Sequence, residues 1–162
     1  MAQEEMVLYE SLKAIFLHID NHEKALFSEF SLTLPRFYVL LHLSNHPGIN
    51  FIDLSDLMLC TKSNTTRIVQ SMQADGLVRR EVHPDDGRSY QLFITPAGQA
   101  ILDRVLPQYN DLVVSLMSSF NEDQMRDYTV VSQHIESTLA PKLGSAKAGT
   151  QLSAVTRYAR LR

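Results

Sequence analysis

Residues 50–76 read NFIDLSDLMLCTKSNTTRIVQSMQADG, and this stretch decides the fold. Asn50 and Thr61 are residue types that cap helix N-termini, and an apolar pattern with helical spacing follows each of them. Gly76 stands where a helix commonly ends in a left-handed residue. Because only a few residues separate the two patterns, the stretch predicts a helix-turn-helix whose second helix covers roughly residues 62–74.

The pattern changes to that of β-strands directly after this stretch. Residues 77–83 and 89–95 are rich in Val, Ile, Leu, Tyr, Phe and Arg, and they flank Pro84-Asp85-Asp86-Gly87. Pro, Asp and Gly are residue types that turns require, so these segments predict a β-hairpin with a turn of about four to five residues. A hairpin that follows a helix-turn-helix forms a wing, here at residues 77–95.

Long helices are predicted on both sides of this winged lobe. Residues 4–30 contain no Pro or Gly, and a helix of about 26 residues would be about 39 Å long. That length exceeds what one small lobe can cover, so we expect its apolar stripe to pack on a partner chain as well. The stripe consists of Leu8, Leu12, Ile15, Ile19, His22, Leu26 and Phe30. Thr95-Pro96 begins a second long helix, and a capping box at Asn121-Glu122-Asp123-Gln124 begins the last one.

The predicted fold class is therefore mainly α, an α+β winged helix flanked by long N- and C-terminal dimerisation helices. Residues 1–32 and 96–140 are assigned to a helical dimerisation region, and residues 33–95 to the winged helix-turn-helix lobe. Residues 141–162 shift in composition to Gly, Ser, Ala and Thr, with five basic residues and no acidic one. We expect this segment to be a basic, flexible tail.

The distribution of charge is more informative than the total. The 162 residues include 15 basic and 18 acidic ones, a formal net charge of −3, which argues against a protein that coats nucleic acid indiscriminately. Residues 1–60 carry a net charge of −5, residues 61–95 +1, residues 96–140 −4 and residues 141–162 +5. This distribution indicates that cations lie at specific positions and that the chain has no general positive charge. The basic tail is expected to add nonspecific affinity for DNA.

Several classes of protein are excluded by what the chain lacks. With one cysteine, it has no disulfide framework and no zinc site made of several thiolates. No apolar run approaches the ~20 residues that cross a bilayer, and the acidic start is unlike a secretory signal. No phosphate-binding loop, nucleophile elbow or paired metalloprotease histidines are present. We therefore expect a soluble cytoplasmic protein that is not an enzyme, requires no cofactor and binds no membrane.

The start of the second helix is the strongest candidate for contact with DNA. Short polar residues there exceed what one N-cap needs, and Asn, Ser, Thr and Arg side chains can hydrogen-bond base edges in a major groove. The helix N-terminus also favours a phosphate group. The candidate residues are Lys62, Ser63, Asn64, Thr65, Thr66 and Arg67. Thr65 is also one of the residues that the helical pattern allows to face inward.

The wing supplies a second set of candidates. Asp86-Gly87-Arg88 is compatible with ordinary turn chemistry, but Arg88 is also suited to the negative potential of a minor groove. Asp86 would then orient the guanidinium through a charge-assisted pair. Arg79 and Arg80 are expected to contact phosphates or to be solvated, with one of them on each face of the strand.

In the order of its motifs, the chain resembles the MarR family of bacterial transcriptional regulators over roughly residues 5–140. The resemblance rests on residues 32–37 (LTLPRF), 61–69 (TKSNTTRIV), 75–78 (DGLV), 86–88 (DGR) and 92–98 (LFITPAG). It implies a homodimer that binds double-stranded DNA at a pseudo-palindromic operator. It also implies a repressor that is released from DNA by a small molecule, often a phenolic or aromatic compound, or by a metal or an oxidant.

The same resemblance suggests where an effector would bind. In the family, a crevice between the first, second and fifth helices holds the ligand. The corresponding candidates in this sequence are His18, His22, Arg36, Phe37 and His42. Although His18 with His22 and His42 with His46 have the spacing of a helical pair, no set of cysteines or carboxylates completes a tetrahedral site, so no metal site is predicted.

Two alternatives remain open at this stage. The winged helix could bind a partner protein instead of DNA, although cations at the helix start and in the wing suit a phosphate backbone better. Alternatively, the regulator could respond to metals or to oxidants on the same scaffold, the oxidant response acting through Cys60, which lies in the turn of the helix-turn-helix. With no second cysteine, that response would need an intersubunit bond or a reversible cap. A buried, inert thiol is the simpler interpretation.

Overall fold

The computed structural model describes residues 2–83 and 86–139, but not the side chains of residues 2, 83 and 86–88. The elements follow the order α1 (Ala2–Glu29), α2 (Leu34–Asn45), α3 (Phe51–Leu57), α4 (Lys62–Ala74), β1 (Val78–His83), β2 (Asp86–Ile94), α5 (Pro96–Met117) and α6 (Glu122–Leu139). The mainly α winged helix is thus confirmed. The predicted basic tail at residues 141–162 lies outside the described residues.

The chain divides into two compact units, residues 1–113 and residues 114–162. In the first unit, α2 lies at the centre of the core because apolar side chains surround its axis. The core also receives side chains from α1, α3, α4, both strands and α5. Its buried apolar residues are Phe27, Leu32, Phe37, Val39, Leu40, Leu41, Leu43, Leu54, Val69, Met72, Leu77, Val78, Leu92, Leu102 and Val105.

Local capping signals set the bounds of the helix-turn-helix. The Asn50 side chain accepts hydrogen bonds from the backbone N–H groups of Ile52 and Asp53, at 2.8 and 2.9 Å. The Thr61 hydroxyl accepts one from the Asn64 N–H at 3.3 Å. At the far end of α4, Gly76 has a φ of +72°, which glycine adopts without steric cost. The bounds predicted for the second helix are confirmed.

The packing of α1 differs from the predicted stripe. Phe27 is fully buried and Glu23 is only 9% exposed, whereas His22 lies outside the core and is exposed. Towards the N-terminus, Leu8, Leu12 and Ile15 are 39–56% exposed in the single chain. The helix is longer than the lobe that covers its C-terminal part, so the apolar residues nearer its start have no cover within the described residues of the first unit.

The wing is an antiparallel pair of strands in which Arg80 lies opposite Leu92. Ile49 extends the sheet by bridging to Leu92. The predicted turn was too long, because β2 begins at Asp86 and pairs there with His83 after an irregularity in the register. Asp86 and Gly87 therefore belong to the strand, and only residues 84–85, which lie outside the described residues, separate the strands.

A tight junction joins the end of α4 to the beginning of α5. The Thr95 hydroxyl donates to the Gly76 carbonyl at 2.7 Å, and the Thr95 N–H donates to the Leu77 carbonyl at 3.0 Å. The same hydroxyl accepts a hydrogen bond from the Gly98 N–H at 3.1 Å and so caps α5. Gly98 is buried against Leu77, with no room for a side chain. Thr95 therefore fixes the two helices together at the base of the wing.

The second unit contains α6, whose N-terminus is closed by the predicted capping box. The Asn121 side chain accepts from the Gln124 N–H at 2.9 Å, and the Gln124 side chain accepts from the Asn121 N–H at 3.1 Å. Next to the cap, the rings of Phe120 and Tyr128 meet edge to face with their centroids 5.2 Å apart. No residue of α6 is buried within the part of the chain that the structure describes.

Candidate nucleic-acid interface

The first two turns of α4 present polar and cationic side chains to solvent. Lys62, Ser63, Asn64 and Arg67 are all exposed. Thr61 holds the backbone of the first turn through its cap, so these side chains project from a fixed helix end and not from a loop. Exposed N–H groups and the helix dipole make the same end attractive to phosphate. The assignment of these four residues to DNA contact stays a prediction.

The prediction for Thr65 is wrong. Its side chain is fully buried, and its hydroxyl donates to the Thr61 carbonyl at 3.2 Å. Thr65 shares the inward face of α4 with Val69 and Met72, at steps of four and three residues. Thr66 is half-buried, and its hydroxyl donates to the Lys62 carbonyl at 2.7 Å. Of the two threonines, only Thr66 remains a candidate for contact with DNA.

The exposed face of α4 continues beyond the residues predicted from the sequence. Gln70 and Ser71 are exposed, and Gln70 lies three residues after Arg67 on the same face of the helix. A glutamine side chain can form two hydrogen bonds with adenine, accepting through its amide oxygen and donating through its amide nitrogen, as an asparagine can. The helical period would have identified Gln70 if the candidate set had been extended by one turn.

Cys60 is half-buried in the turn that precedes α4. The side-chain nitrogen of Asn64 lies 3.9 Å from its sulfur. This contact is a weak hydrogen bond, and it orients the Asn64 amide next to the helix start. The thiol thus supports a candidate DNA-reading residue, whether or not it is reactive.

The two arginines of β1 point to opposite faces of the hairpin and stack on different rings. Arg79 forms an ion pair with Glu81 and lies over the Phe93 ring, 4.4 Å from its centroid. Arg80 lies over the Tyr90 ring at 4.6 Å. The charge of Arg79 is therefore partly compensated by a neighbouring carboxylate, which makes Arg79 a weaker candidate for phosphate contact than the sequence alone indicated.

The other wing candidates, Asp86 and Arg88, lie on β2 by their backbone. Their side chains are outside the described residues, so the proposed pair between them stays a prediction.

The five predicted effector residues do not converge on one site. His18 and His22 are exposed on α1. Arg36 reaches towards α4, where its Nη2 lies 2.5 Å from Oδ2 of Asp75. Phe37 is buried in the core and stacks on Phe27.

His42 is buried, and its pKa is lowered to about 4 by burial and by the nearby His46. It lies beside the Tyr38 ring, with the ring centroids 6.3 Å apart. His42 is therefore neutral at physiological pH.

A buried polar cluster that sequence reasoning missed lies between α1, α2 and α5 of the first unit. The Tyr38 and Tyr109 hydroxyls are 3.4 Å apart, and the Tyr109 ring lies 4.8 Å from that of Phe37. Burial raises the pKa of Glu23, an effect increased by Asp20 and opposed by a hydrogen bond with Tyr109. Burial likewise raises the pKa of Tyr109. No periodic pattern singles out these residues, because each is one polar residue on an otherwise apolar face.

The described residues contain neither a candidate metal site nor a candidate membrane span. No group of three or more His, Cys, Asp or Glu side chains in this part of the chain lies close enough together to hold a metal ion. None of the described helices is long and apolar enough to cross a membrane.

Comparison with known proteins shows sequence similarity over the same winged lobe. Residues 30–89 match the model of the MarR family. The uncharacterized HTH-type transcriptional regulator YsmB of Bacillus subtilis (strain 168) is 25% identical over 116 residues, which cover 72% of this chain and 80% of YsmB.

Two solved structures share the fold at low sequence identity. The first is MepR of S. aureus in complex with DNA, with a TM-score of 0.73 and 15% identity over 79% of this chain and 93% of MepR. The second is the PcaV transcriptional regulator of Streptomyces coelicolor in complex with its natural ligand, with a TM-score of 0.65 and 17% identity over 75% of this chain and 88% of PcaV. The winged lobe of the chain, residues 30–89, is thus similar to the MarR family of transcriptional regulators, and the fold is that of the solved regulators of this kind.

Proposed function

We propose that the chain is a homodimeric repressor that binds a pseudo-palindromic operator and is released by a small molecule. It regulates by binding and not by catalysis, in the cytoplasm where its DNA lies. The single observation that carries the proposal is the exposed beginning of α4, where Lys62, Ser63 and Asn64 in the first turn and Arg67 in the second project from a capped helix end. Such a helix end suits both base edges and phosphates.

In this proposal, residues 33–95 read DNA, while residues 1–32 and 96–140 form the dimer. The exposed apolar residues of α1 favour a second copy of the chain as partner, since a soluble monomer rarely leaves so many contiguous apolar side chains in water. They include Met6, Leu8, Leu12, Ile15 and Phe16. Two recognition helices related by a two-fold axis would enter successive major grooves about 34 Å apart.

The wing completes the proposed contacts. Arg88 would enter the minor groove, oriented by Asp86, and Arg79 would lie near the phosphates. The basic residues of the tail would add affinity that does not depend on sequence, because each neutralised phosphate releases counterions.

The effector is proposed to act at the α1–α2–α5 region that contains Glu23, Tyr38, Phe37, His42 and Tyr109. Neighbouring aromatic rings and paired hydroxyls there offer apolar surface with a few polar groups, the usual chemistry of a site for a small aromatic ligand. The ligand would act only through its different affinity for two shapes of the dimer.

Titration with random duplex DNA at two salt concentrations tests DNA binding. We expect log affinity to fall linearly with log salt concentration, and absence of binding or of salt dependence would favour the protein-interaction alternative. Selection of bound sequences from a random duplex pool should then return a site with two-fold symmetry. A site without symmetry would contradict the homodimer.

Two substitutions separate the proposed roles. Arg88→Ala should weaken binding to every duplex, whereas Asn64→Ala should mainly reduce discrimination between sequences. If both variants lose affinity and discrimination alike, the division between backbone contact and base reading is incorrect.

A further inference from the structure

An ion pair joins the beginning of α2 to the end of α4. Nη2 of Arg36 lies 2.5 Å from Oδ2 of Asp75, the C-cap residue of α4, and 39 positions separate the two residues in the sequence. The Arg36 side chain is 22% exposed, and that of Asp75 is 50% exposed. The Nε of Arg36 is buried without a hydrogen-bond partner among the described residues. The guanidinium is thus largely withdrawn from water to reach this carboxylate.

The neighbouring residue on α2 fixes that helix from the other side. Phe37 is fully buried, with its ring 4.5 Å from that of Phe27 on α1 and 4.8 Å from that of Tyr109 on α5. Because α2 is held by its core at this point, Arg36 projects from a rigid base. Asp75, and with it the end of α4, is therefore tied to a part of the molecule that resists displacement.

The geometry of α4 amplifies small movements at this end. From Lys62 to Asp75 the axis is about 20 Å long, at 1.5 Å per residue. A tilt of about 5° about the Asp75 end would move the start of α4 by nearly 2 Å, estimated from the same helix length. Hydrogen bonds to base edges require donor–acceptor distances within about 0.5 Å, so a tilt of this size would break them.

We infer that Arg36 is a positioning residue for DNA reading, which holds the C-cap of α4 through Asp75 and so sets the angle at which the first turn of α4 meets the bases. This inference rests on the proposed function, because it assumes that α4 reads the major groove. It gives Arg36 a role different from the effector contact that the sequence suggested. Arg36 acts on DNA only through Asp75.

The two partners of the pair allow a test that separates positioning from charge. Arg36→Gln removes one positive charge and Asp75→Asn removes one negative charge, so effects of bulk charge on DNA affinity must have opposite signs. Loss of positioning must act in the same direction in both variants. Arg126→Gln is the matched control, since Arg126 pairs with Asp123 on the exposed surface of α6.

The measurement uses two duplexes of equal length. One is the sequence that the wild-type chain selects from a random pool, and the other is a shuffled sequence of the same composition. The ratio of the two affinities reports discrimination, and the slope of log affinity against log salt concentration counts phosphate contacts. Circular dichroism spectra and melting temperatures confirm that each variant is folded.

For both Arg36→Gln and Asp75→Asn, we expect the discrimination ratio to fall about tenfold, the effect of one good base contact. The salt slope should not change. Arg36→Lys should retain most of the discrimination, because an ammonium group can still donate a single hydrogen bond to Asp75. Arg126→Gln should leave the ratio unchanged.

Three results would overturn the inference. The first is an unchanged ratio in both variants. The second is a lower salt slope in Arg36→Gln alone, which would make Arg36 a direct phosphate contact. The third is opposite shifts of the ratio in Arg36→Gln and Asp75→Asn. If the wild-type chain itself does not discriminate between the duplexes, the proposed function fails instead, and the two failures are thereby distinguished.

Discussion

Gly98→Ala places a methyl group where α5 packs closely against the Leu77 backbone, directly before β1. A Cβ at this position would lie 2.3 Å from the Leu77 carbonyl oxygen, 3.0 Å from Cγ1 of Ile94 and 3.1 Å from Cδ2 of Leu40. The carbonyl is a backbone atom that already accepts the Thr95 N–H, so it cannot withdraw without weakening that hydrogen bond. Either α5 or the start of β1 must move by about 1 Å to restore an ordinary contact distance.

The expected cost is the difference between two opposing effects. Overpacking of a well-filled core costs about 1–3 kcal/mol, and a weakened hydrogen bond adds about 1 kcal/mol. Replacement of glycine by alanine inside a helix returns about 1 kcal/mol. We therefore expect a net destabilisation of about 2 kcal/mol, or a melting temperature lower by about 4–8 °C for a chain of this size.

Thermal and urea unfolding followed by circular dichroism measure this effect, at one fixed protein concentration because dimerisation would shift the midpoint. Ala100→Gly is the matched control: Ala100 lies on the exposed face of the same helix, so the variant reports helix propensity alone. It should lose about 1 kcal/mol. If Gly98→Ala instead gains stability by a similar amount, the contact with Leu77 does not constrain α5 and the reasoning is refuted.

Two further predictions concern titration and backbone strain. The folded chain lowers the pKa of His42 from 6.5 to about 4, so the neutral His42 side chain makes its full contribution to stability above pH 6.5. As the pH falls towards 4 this contribution is lost, and the free energy of unfolding decreases by about 3 kcal/mol at most. Urea unfolding between pH 7 and 4 should show this loss, and the free energy of unfolding of His42→Gln should depend less on pH. An equal pH dependence in the two proteins would contradict the prediction. Ser31, after the end of α1, has a φ of +53°, so Ser31→Gly should raise the free energy of unfolding by about 1 kcal/mol. Its control, Ser28→Gly within α1, should lower that free energy, and a loss of stability in both variants would argue against strain at Ser31.

The parts of the fold that local chemistry determines could be predicted from the sequence. Asn50, Thr61 and Gly76 each act within three or four residues of their own position, so the bounds of the second helix of the helix-turn-helix followed from them. The two strands of the wing could also be predicted from the sequence, but the length of the turn between them could not. There the strand pairing continues to Asp86, because an irregularity in the register after Val82 allows it.

The errors arose where a residue's role depends on distant partners. Thr65 resembles its exposed neighbours by type; the helical pattern allowed it to face either way, and the packed core buries it with its hydroxyl bonded to the preceding turn. Glu23 and Tyr109 come together from helices far apart in the sequence. Arg36 and Asp75 are likewise separated by 39 positions, and no local pattern indicates that pairing.

The junction at Thr95 also makes the wing a separable part. The hairpin leaves the core after Leu77 and returns at Thr95, and the two ends are fastened by hydrogen bonds of 2.7 and 3.0 Å to the Gly76 and Leu77 carbonyls. A hairpin of different length or sequence could be grafted between these residues while α4 and α5 keep their places. In the proposed function, the minor-groove contacts of the wing are therefore exchangeable between similar chains as a unit, independently of the proposed recognition helix α4.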